Sequence, residues 1–196
     1  MNAVIVIIAA IVVYFLLTSS TSSSTIQPIS NSSNNIGTDI SNAFNSISSA
    51  TNSLVQDIQN AATANNLNPA ILYGIVSAEQ NSTNPTEWNA NAYNPNDPSG
   101  AYGLTQVLAS TAQSFNVNPA IIQSSPTAAL SVTAQYINRY SPDANSMSQT
   151  AATYNGGPGI FAEIANGTVP SKVINTYVNK AIAGYNYYNA MYGSSN

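Results

Sequence analysis

Apolar residues recur at three- and four-residue steps along most of the chain, a spacing that predicts amphipathic α-helices. Two helix starts share the sequence Asn-Pro-Ala-Ile, at Asn68 and at Asn118, where Asn suits the N-cap and Pro the first helical position. No convincing alternating pattern indicates a β-strand, so the predicted fold class is mainly α. Helices are predicted over residues 39–64, 69–80, 146–155 and 171–192. A further helix, with Leu130, Ala134 and Ile137 on its core face, is predicted to end near residue 140.

The helix predicted over residues 69–80 carries an acidic residue on its apolar face. Leu72, Ile75 and Val76 lie together when each residue advances by about 100° around the helix axis, and Glu79 falls within the same face. A carboxyl group held against apolar surface resists ionisation, so we expect a raised pKa for Glu79, as a general acid needs. The pattern leaves a structural interpretation open, in which Glu79 ends the helix or is buried with a hydrogen-bonding partner.

Residues 3–17 form an apolar run without a charge. Together with its uncharged flanks the run approaches the roughly 20 residues that cross a bilayer, so we predict a single transmembrane helix over residues 1–18. A cleaved signal peptide is the competing interpretation, but such peptides begin with a basic region, and no Lys or Arg precedes Arg139. The same lack of basic residues leaves the orientation of the helix in the membrane undetermined.

The residues after the apolar run are dominated by Ser, Thr and Asn, which predicts a flexible linker over residues 19–37. A single domain is then expected over residues 38–196. Its first helix, with Ile40, Phe44 and Ile47 among its apolar positions, is expected to pack against the rest of the domain. A stalk is the alternative, because the many Ser and Asn residues form helices weakly without tertiary support.

The composition excludes several classes of function. Charged residues make up 5% of the chain and the net charge is −4, which leaves no basic surface for nucleic acid. The chain has no Cys, which excludes disulfides and thiolate sites. It also has no His, the residue on which most zinc sites and catalytic triads depend. We therefore expect no metal and no cofactor.

The loop over residues 81–100 carries the only Trp of the chain, Trp88, together with Tyr93. Aromatic rings stack on sugar rings, and neighbouring amides pair with hydroxyls, so the loop is a candidate for sugar binding. The alternative is that Trp88 and Tyr93 fill a small core beneath the loop. The sequence does not separate these two interpretations.

Four motifs occur in an order that resembles the catalytic domain of the soluble lytic transglycosylases. The resemblance covers about residues 58–188 and implies a lysozyme-like, mostly helical domain with a cleft that cleaves bacterial peptidoglycan. Each motif is weak alone, whereas the ordered set is fairly specific. The motifs are Ala78-Glu79, then Ser99-Gly100-Ala101-Tyr102-Gly103-Leu104-Thr105-Gln106-Val107 with Thr111-Ala112, then Ala152-Thr153-Tyr154-Asn155-Gly156-Gly157-Pro158-Gly159, and finally Tyr177-Val178.

The resemblance implies a role for each matching residue. Glu79 stands at the position of the single catalytic glutamate, which protonates the bond between N-acetylmuramic acid and N-acetylglucosamine and then acts as a base. Gln106 matches a glutamine that contacts substrate, and Tyr154 and Asn155 match a pair that lines the cleft. Tyr177 matches a tyrosine of the last helix that closes on the site.

Three positions depart from the family pattern. Gln80 replaces the usual Ser after the glutamate, Thr105 replaces a Met and is expected to make the cleft floor smaller and more polar, and Gly156 replaces an Ala. Gln80 and Tyr102, which belongs to the second motif, are further candidates for substrate binding.

The leading hypothesis is a membrane-anchored lytic transglycosylase whose product carries a 1,6-anhydromuramyl end. The expected partners are peptidoglycan glycan strands and, through the N-terminal helix, a membrane. A bacterial envelope, with the domain facing the periplasm, or the internal membrane of a virion used in entry would suit this arrangement, with assembly partners unknown. The alternatives are a lysozyme-type hydrolase and a catalytically weak module that binds the wall or serves as a structural part of a virion. Two-carboxylate glycosidases need a second carboxylate, for which Glu87, Asp97 and Glu163 are conceivable candidates, but no motif places any of them.

Overall fold

The computed structural model describes residues 33–94, 100–168 and 171–193, and these residues form a mainly helical protein with one small sheet. The predicted fold class is therefore confirmed. A short 3-10 turn, Pro85–Glu87, precedes the first strand. The helices are α1 (Ser33–Ala64), α2 (Pro69–Gln80), α3 (Ala109–Ser114), α4 (Pro119–Ser124), α5 (Pro126–Tyr140), α6 (Met147–Gly156), α7 (Ile160–Ala165) and α8 (Ser171–Tyr192), and the strands are β1 (Tyr93–Asn94), β2 (Ala101–Tyr102) and β3 (Val107–Leu108).

The chain divides into two units between Asn42 and Ala43, and the site described below lies in the second unit. Among the described residues no helix is both long and apolar enough to cross a bilayer. The transmembrane helix predicted over residues 1–18 lies outside the described residues, as does most of the predicted linker. Helix α1 begins at Ser33, ahead of the start near residue 39 that the sequence predicts, and so includes residues 33–37.

The two Asn-Pro sequences begin helices as predicted. The side chain of Asn68 accepts a hydrogen bond from the Ala70 amide at 2.9 Å, and Asn118 accepts one from the Ala120 amide at 3.0 Å. Each side-chain oxygen satisfies an amide that the first turn of the helix leaves without a backbone partner. The starts of α2 and α4 are thus fixed locally.

A three-stranded antiparallel sheet, β1-β2-β3, was missed by the sequence pattern. Tyr93 pairs with Tyr102, and Ala101 pairs with Leu108. Each strand has two residues, which is too short for an alternation of apolar and polar positions to become visible. The sheet carries the segment from Gly100 to Leu108 past the end of α2.

Trp88 belongs to the main hydrophobic core, so the core interpretation is correct for this residue. Its side chain is 8% exposed, its ring centroid lies 4.9 Å from that of Tyr73, and its Nε1 donates to the Ser82 carbonyl at 2.9 Å. Tyr93, by contrast, is 48% exposed and its ring stacks on Tyr102 at 5.2 Å. The loop therefore buries one of its two aromatic side chains and leaves the other at the surface.

The buried centre of the domain is α2, where every residue from Ala70 to Ala78 is buried. Helix α8 packs closely on it because small residues face each other across the contact. A Cβ atom added at Gly184 would lie 2.4 Å from the Cβ of Ser77, and one added at Gly74 would lie 2.6 Å from the carbonyl oxygen of Ala181. The backbones can approach this closely only because the side chains are missing.

The substitution Gly184→Ala is therefore expected to destabilise the protein by about 2 kcal/mol, because α2 and α8 must move apart to admit the methyl group. The clash outweighs the gain in helix propensity of roughly 1 kcal/mol that Ala brings over Gly. Urea unfolding followed by circular dichroism measures the change. Ala183→Ser, on the exposed face one residue away, is the matched control and should change stability by roughly 0.5 kcal/mol or less. Equal stability of Gly184→Ala and the wild type would contradict the close packing.

Candidate active site

Glu79 lies in the last turn of α2, and its side chain is partly buried. The hydroxyl of Tyr177, on α8, donates a hydrogen bond to Oε1 of Glu79 at 2.7 Å. The close packing of α2 on α8 is what brings these two distant residues together. Because Oε1 accepts this bond, Oε2 is available to carry the proton of the neutral carboxyl group.

Burial raises the pKa of Glu79 from an ordinary 4.5 to about 7. The hydrogen bond from Tyr177 and the positive charge of Lys180 both favour the carboxylate and oppose that rise. The sequence-based expectation of a raised pKa is thereby confirmed. A group with this pKa is populated in both protonation states near neutral pH, so it can give up a proton and take one back.

Glu79 opens onto a groove with a volume of about 510 Å³, which we call the Glu79 groove. Residues of α2, β2, β3, α3, α5 and α6 line it, together with the turn between β2 and β3 and the turn that follows α6. The groove brings together four of the residues predicted for the site: Glu79, Gln106, Tyr154 and Asn155. The full lining is Glu79, Ala101, Gln106, Val107, Leu108, Thr111, Tyr136, Tyr154, Asn155, Gly156 and Gly157.

Gln106 stands in a tight turn between β2 and β3, with a φ of 50° that non-glycine residues rarely adopt. Its Nε2 donates to the carbonyl of Gly103 at 2.9 Å and to the carbonyl of Ala92 at 3.3 Å. Gly103, in turn, donates its amide to the Ala92 carbonyl at 2.7 Å. These bonds hold the amide side chain of Gln106 at the groove wall, and its Oε1 accepts no hydrogen bond from the part of the chain that the structure describes.

Tyr154 lines the groove with its ring and directs its hydroxyl toward the protein interior. The hydroxyl donates to the carbonyl of Thr105 at 2.9 Å and lies 3.2 Å from Oγ1 of Thr133. Burial and the nearby charge of Glu79 raise the pKa of Tyr154, so the hydroxyl stays protonated and remains a donor. Through this bond Tyr154 holds the backbone of Thr105, the residue next to Gln106, in place.

Thr105 was expected on the floor of the cleft, but its side chain is fully buried behind it. Its Oγ1 accepts a hydrogen bond from Thr133 at 2.8 Å, and Thr105 is not part of the groove lining. Thr105 and Gln106 both stand in the turn between β2 and β3, where Gln106 has a positive φ and faces the groove while Thr105 faces α5. The interpretation of a smaller, more polar cleft floor is therefore wrong.

Three other predicted site residues lie outside the Glu79 groove. Gln80 bridges two loops, since its Nε2 donates to the Leu104 carbonyl and its Oε1 accepts from the Asn89 amide, both at 2.8 Å. Tyr102 stacks on Tyr93 as described above. Tyr177 reaches Glu79 from a second groove on the α8 side.

The order of these elements and the position of the glutamate can be compared with known families. A family model described as "Transglycosylase SLT domain" matches residues 56–175 of the chain. The chain belongs to this family. A search of curated proteins gives no match. Membership in the SLT domain family agrees with the mainly helical, lysozyme-like architecture and supports an enzyme of the lytic transglycosylase type that acts on peptidoglycan.

Several residues that line the Glu79 groove of this SLT domain were not among the predicted site residues. Tyr136, on α5, is the largest of them, and its ring meets that of Tyr154 edge to face at 5.5 Å. One Tyr among the 12 of the chain gives no signal by itself. The others are small or apolar residues of the sheet, of α3 and of the end of α6 with the turn that follows it, namely Ala101, Val107, Leu108, Thr111, Gly156 and Gly157.

Glu79 is the single carboxyl group in the described lining of the groove of this SLT domain. Glu87 is held in the 3-10 turn by hydrogen bonds from Ser82 at 2.6 Å and Asn84 at 3.3 Å, and Glu163 is exposed on α7. Asp97 lies outside the described residues. Over the part of the chain that the structure describes, no three His, Cys, Asp or Glu side chains come close enough together to hold a metal ion.

Proposed function

We propose that the protein is a lytic transglycosylase that cleaves the β-1,4 bond between N-acetylmuramic acid and N-acetylglucosamine, with Glu79 as acid and then base. The observation that carries the proposal is a partly buried carboxyl group with a pKa of about 7, the single one in the described lining of the Glu79 groove. Two-carboxylate glycosidases place a second carboxyl within about 5 to 9.5 Å of the first. A reaction that needs one carboxyl fits this lining better.

The proposed reaction uses Glu79 twice, first as an acid and then as a base. Glu79 gives its Oε2 proton to the glycosidic oxygen as the bond from that oxygen to C1 of the muramyl residue breaks, which leaves a hydroxyl on the departing N-acetylglucosamine. The 6-hydroxyl of the same muramyl residue then attacks C1, a bond from C1 to O6 forms, and the hydroxyl proton passes to the Glu79 carboxylate. Water is not consumed, and Glu79 ends in the state in which it began.

The surrounding side chains support this use of Glu79. Tyr177 fixes the carboxyl group through Oε1, and its hydrogen bond becomes stronger when Glu79 carries the negative charge between the two steps. Gln106 offers Oε1 as an acceptor, and the backbone and side chains of Tyr136, Tyr154 and Asn155 form the facing wall. A lining that combines polar and aromatic side chains in this way can bind a sugar, because its polar groups can pair with the hydroxyl and amide groups of the sugar.

Product analysis tests the reaction. Purified glycan strands digested by the protein are expected to yield fragments that end in 1,6-anhydromuramic acid and to incorporate no oxygen from ¹⁸O-labelled water, as mass spectrometry can show. Reducing muramic acid ends that carry ¹⁸O would instead establish a lysozyme-type hydrolase on the same scaffold. An absence of both products under conditions in which the strands bind would establish the wall-binding module.

The proposed location rests on the sequence. The apolar run over residues 3–17, followed by a polar segment, would hold the enzyme at a membrane that lies next to peptidoglycan. A bacterial envelope, with the domain in the periplasm, and the internal membrane of a virion both provide that arrangement. The enzyme would then open the wall locally.

A further inference from the structure

A second groove, with a volume of about 370 Å³, lies along α8. It is lined by Asn155, Lys172, Val173, Thr176, Tyr177 and Lys180, and we call it the lysine groove. The chain has three basic residues in all, and two of them line this one groove. The lysine groove is therefore lined by positive charges, although the net charge of the protein is −4.

The lysine groove lies next to the site of the proposed reaction. Asn155 lines both grooves, and Tyr177 lines the lysine groove while it donates its hydroxyl to Glu79. The charge of Lys180 is near enough to Glu79 to act on its carboxyl group. A ligand that fills the Glu79 groove and extends past Asn155 would therefore enter the lysine groove.

The two lysines form a regular stripe. Lys172, Thr176 and Lys180 are spaced four residues apart on α8, so they lie on one face of the helix. The rise of about 1.5 Å per residue places the two Cα atoms about 12 Å apart along the axis. An extended peptide advances about 3.3 Å per residue, so the stripe matches the length of three or four peptide residues.

Neither ammonium group forms an ion pair or a side-chain hydrogen bond with another described residue, and both lysines are exposed. Arg139 differs, because its guanidinium stacks over the rings of Tyr140 at 5.4 Å and Phe115 at 5.7 Å. Two cations that line one groove and have no ion-pair partner among the described residues attract anionic groups of a ligand. Val173, which is 63% exposed between them, offers an apolar contact.

We propose that the lysine groove binds the peptide attached to the muramyl residue at the cleaved bond, through the free carboxylates of that peptide. This inference rests on the proposed function, because peptidoglycan is the ligand that joins such a peptide to a glycan strand. The sugar occupies the Glu79 groove, and the peptide runs along α8 with its carboxylates at Lys172 and Lys180. The lysine groove thereby favours glycan that carries peptides over glycan from which they have been removed.

The test compares two glycan samples of equal strand length, one with its peptides and one stripped of them by an amidase. Binding is measured by fluorescence anisotropy with the full chain carrying Glu79→Gln, in which turnover is blocked and Lys180 can no longer act through the charge of Glu79. We expect binding to the peptide-bearing sample to be about fivefold tighter, as two exposed ion pairs provide, and the preference to shrink as salt is added. The double substitution Lys172→Gln, Lys180→Gln should bring the ratio of the two dissociation constants close to one.

Arg139→Gln is the matched control, because it removes one positive charge away from both grooves and should leave the ratio unchanged. A peptide-bearing sample whose carboxylates have been amidated should bind like the stripped sample. The inference is overturned if the double variant keeps the preference, or if it loses affinity for both samples equally. It is also overturned if only glycan that carries phosphodiester wall polymers, and no peptide, binds in a lysine-dependent way.

The lysine groove and the proposed reaction are tested by separate measurements, so either proposal can be rejected without the other. Turnover of the stripped glycan by the wild-type chain tests the chemistry of Glu79 without the peptide. The ratio of dissociation constants tests the lysine groove in a variant that performs no chemistry. A preference without turnover would support the lysine groove and reject the reaction, and turnover without a preference would do the reverse.

Discussion

Replacing Glu79 with Gln is expected to lower kcat on peptidoglycan by at least about a hundredfold, the typical contribution of a positioned acid or base. Glutamine has nearly the same shape and can still accept the hydrogen bond that Tyr177 donates to Glu79. It cannot give a proton to the glycosidic oxygen, and it cannot take one from the 6-hydroxyl. The loss should therefore appear in kcat, while the dissociation constant for glycan strands stays close to that of the wild type. Release of soluble fragments from purified peptidoglycan measures the rate.

Glu163→Gln provides the matched control for this substitution. It makes the same chemical change at an exposed carboxyl group on α7, away from the lining of both grooves. We expect its rate to stay within about twofold of the wild type, as for surface substitutions away from special features. Equal rates for Glu79→Gln and Glu163→Gln would reject Glu79 as the acid.

The departures from the family pattern leave the groove intact. Gln80, in place of a Ser, ties the carbonyl of Leu104 to the amide of Asn89, and Thr105, in place of a Met, joins a buried chain of hydroxyls with Thr133. Both side chains act behind the wall that carries Gln106 and Tyr154. The hypothesis of a catalytically weak module drew its motivation from these departures, and their positions remove most of that motivation.

Local signals in the sequence predict the helical framework well. Asn68 and Asn118 begin their helices through side-chain hydrogen bonds within the same turn, which requires no knowledge of the rest of the chain. The position of Glu79 on the apolar face of α2 depends on the helical period alone. Its raised pKa then follows from burial, since α2 is the element that the other helices cover.

Other features depend on contacts between distant residues, which periodicity does not report. Tyr136 reaches the groove because α5 packs beside α6, where its ring meets Tyr154. Thr105 and Gln106 are neighbours in sequence, yet one is buried and the other faces the groove, as the positive φ of Gln106 requires. Residues that line a groove only through their backbone or a methyl group, such as Ala101, carry no chemical signal in the sequence.

The pH dependence of the reaction should follow the titration of Glu79. Its pKa is raised from 4.5 to about 7, so the protonated acid predominates up to about neutral pH. We expect kcat/KM on soluble glycan strands to fall about tenfold per pH unit above that value, because only the protonated enzyme can begin the reaction. A carboxyl group with an ordinary pKa would already have lost most of its proton at pH 6. Initial rates between pH 5 and pH 9 in a buffer of constant ionic strength provide the measurement.

The substitution Tyr177→Phe determines whether the alkaline limb belongs to Glu79. The hydroxyl of Tyr177 stabilises the Glu79 carboxylate, so its removal should raise the pKa of Glu79 and move the limb to higher pH, even where the maximal rate is lower. Tyr185→Phe, two helical turns further along α8, is the control and should leave the limb in place. An alkaline limb that stays at the same pH in Tyr177→Phe would show that a group other than Glu79 controls the fall in rate.

The pH dependence of the free energy of unfolding is an independent measurement of the same pKa. Because the pKa of Glu79 is higher in the folded than in the unfolded protein, the contribution of Glu79 to stability is fully present below about pH 4.5 and is lost as the pH rises through about 7.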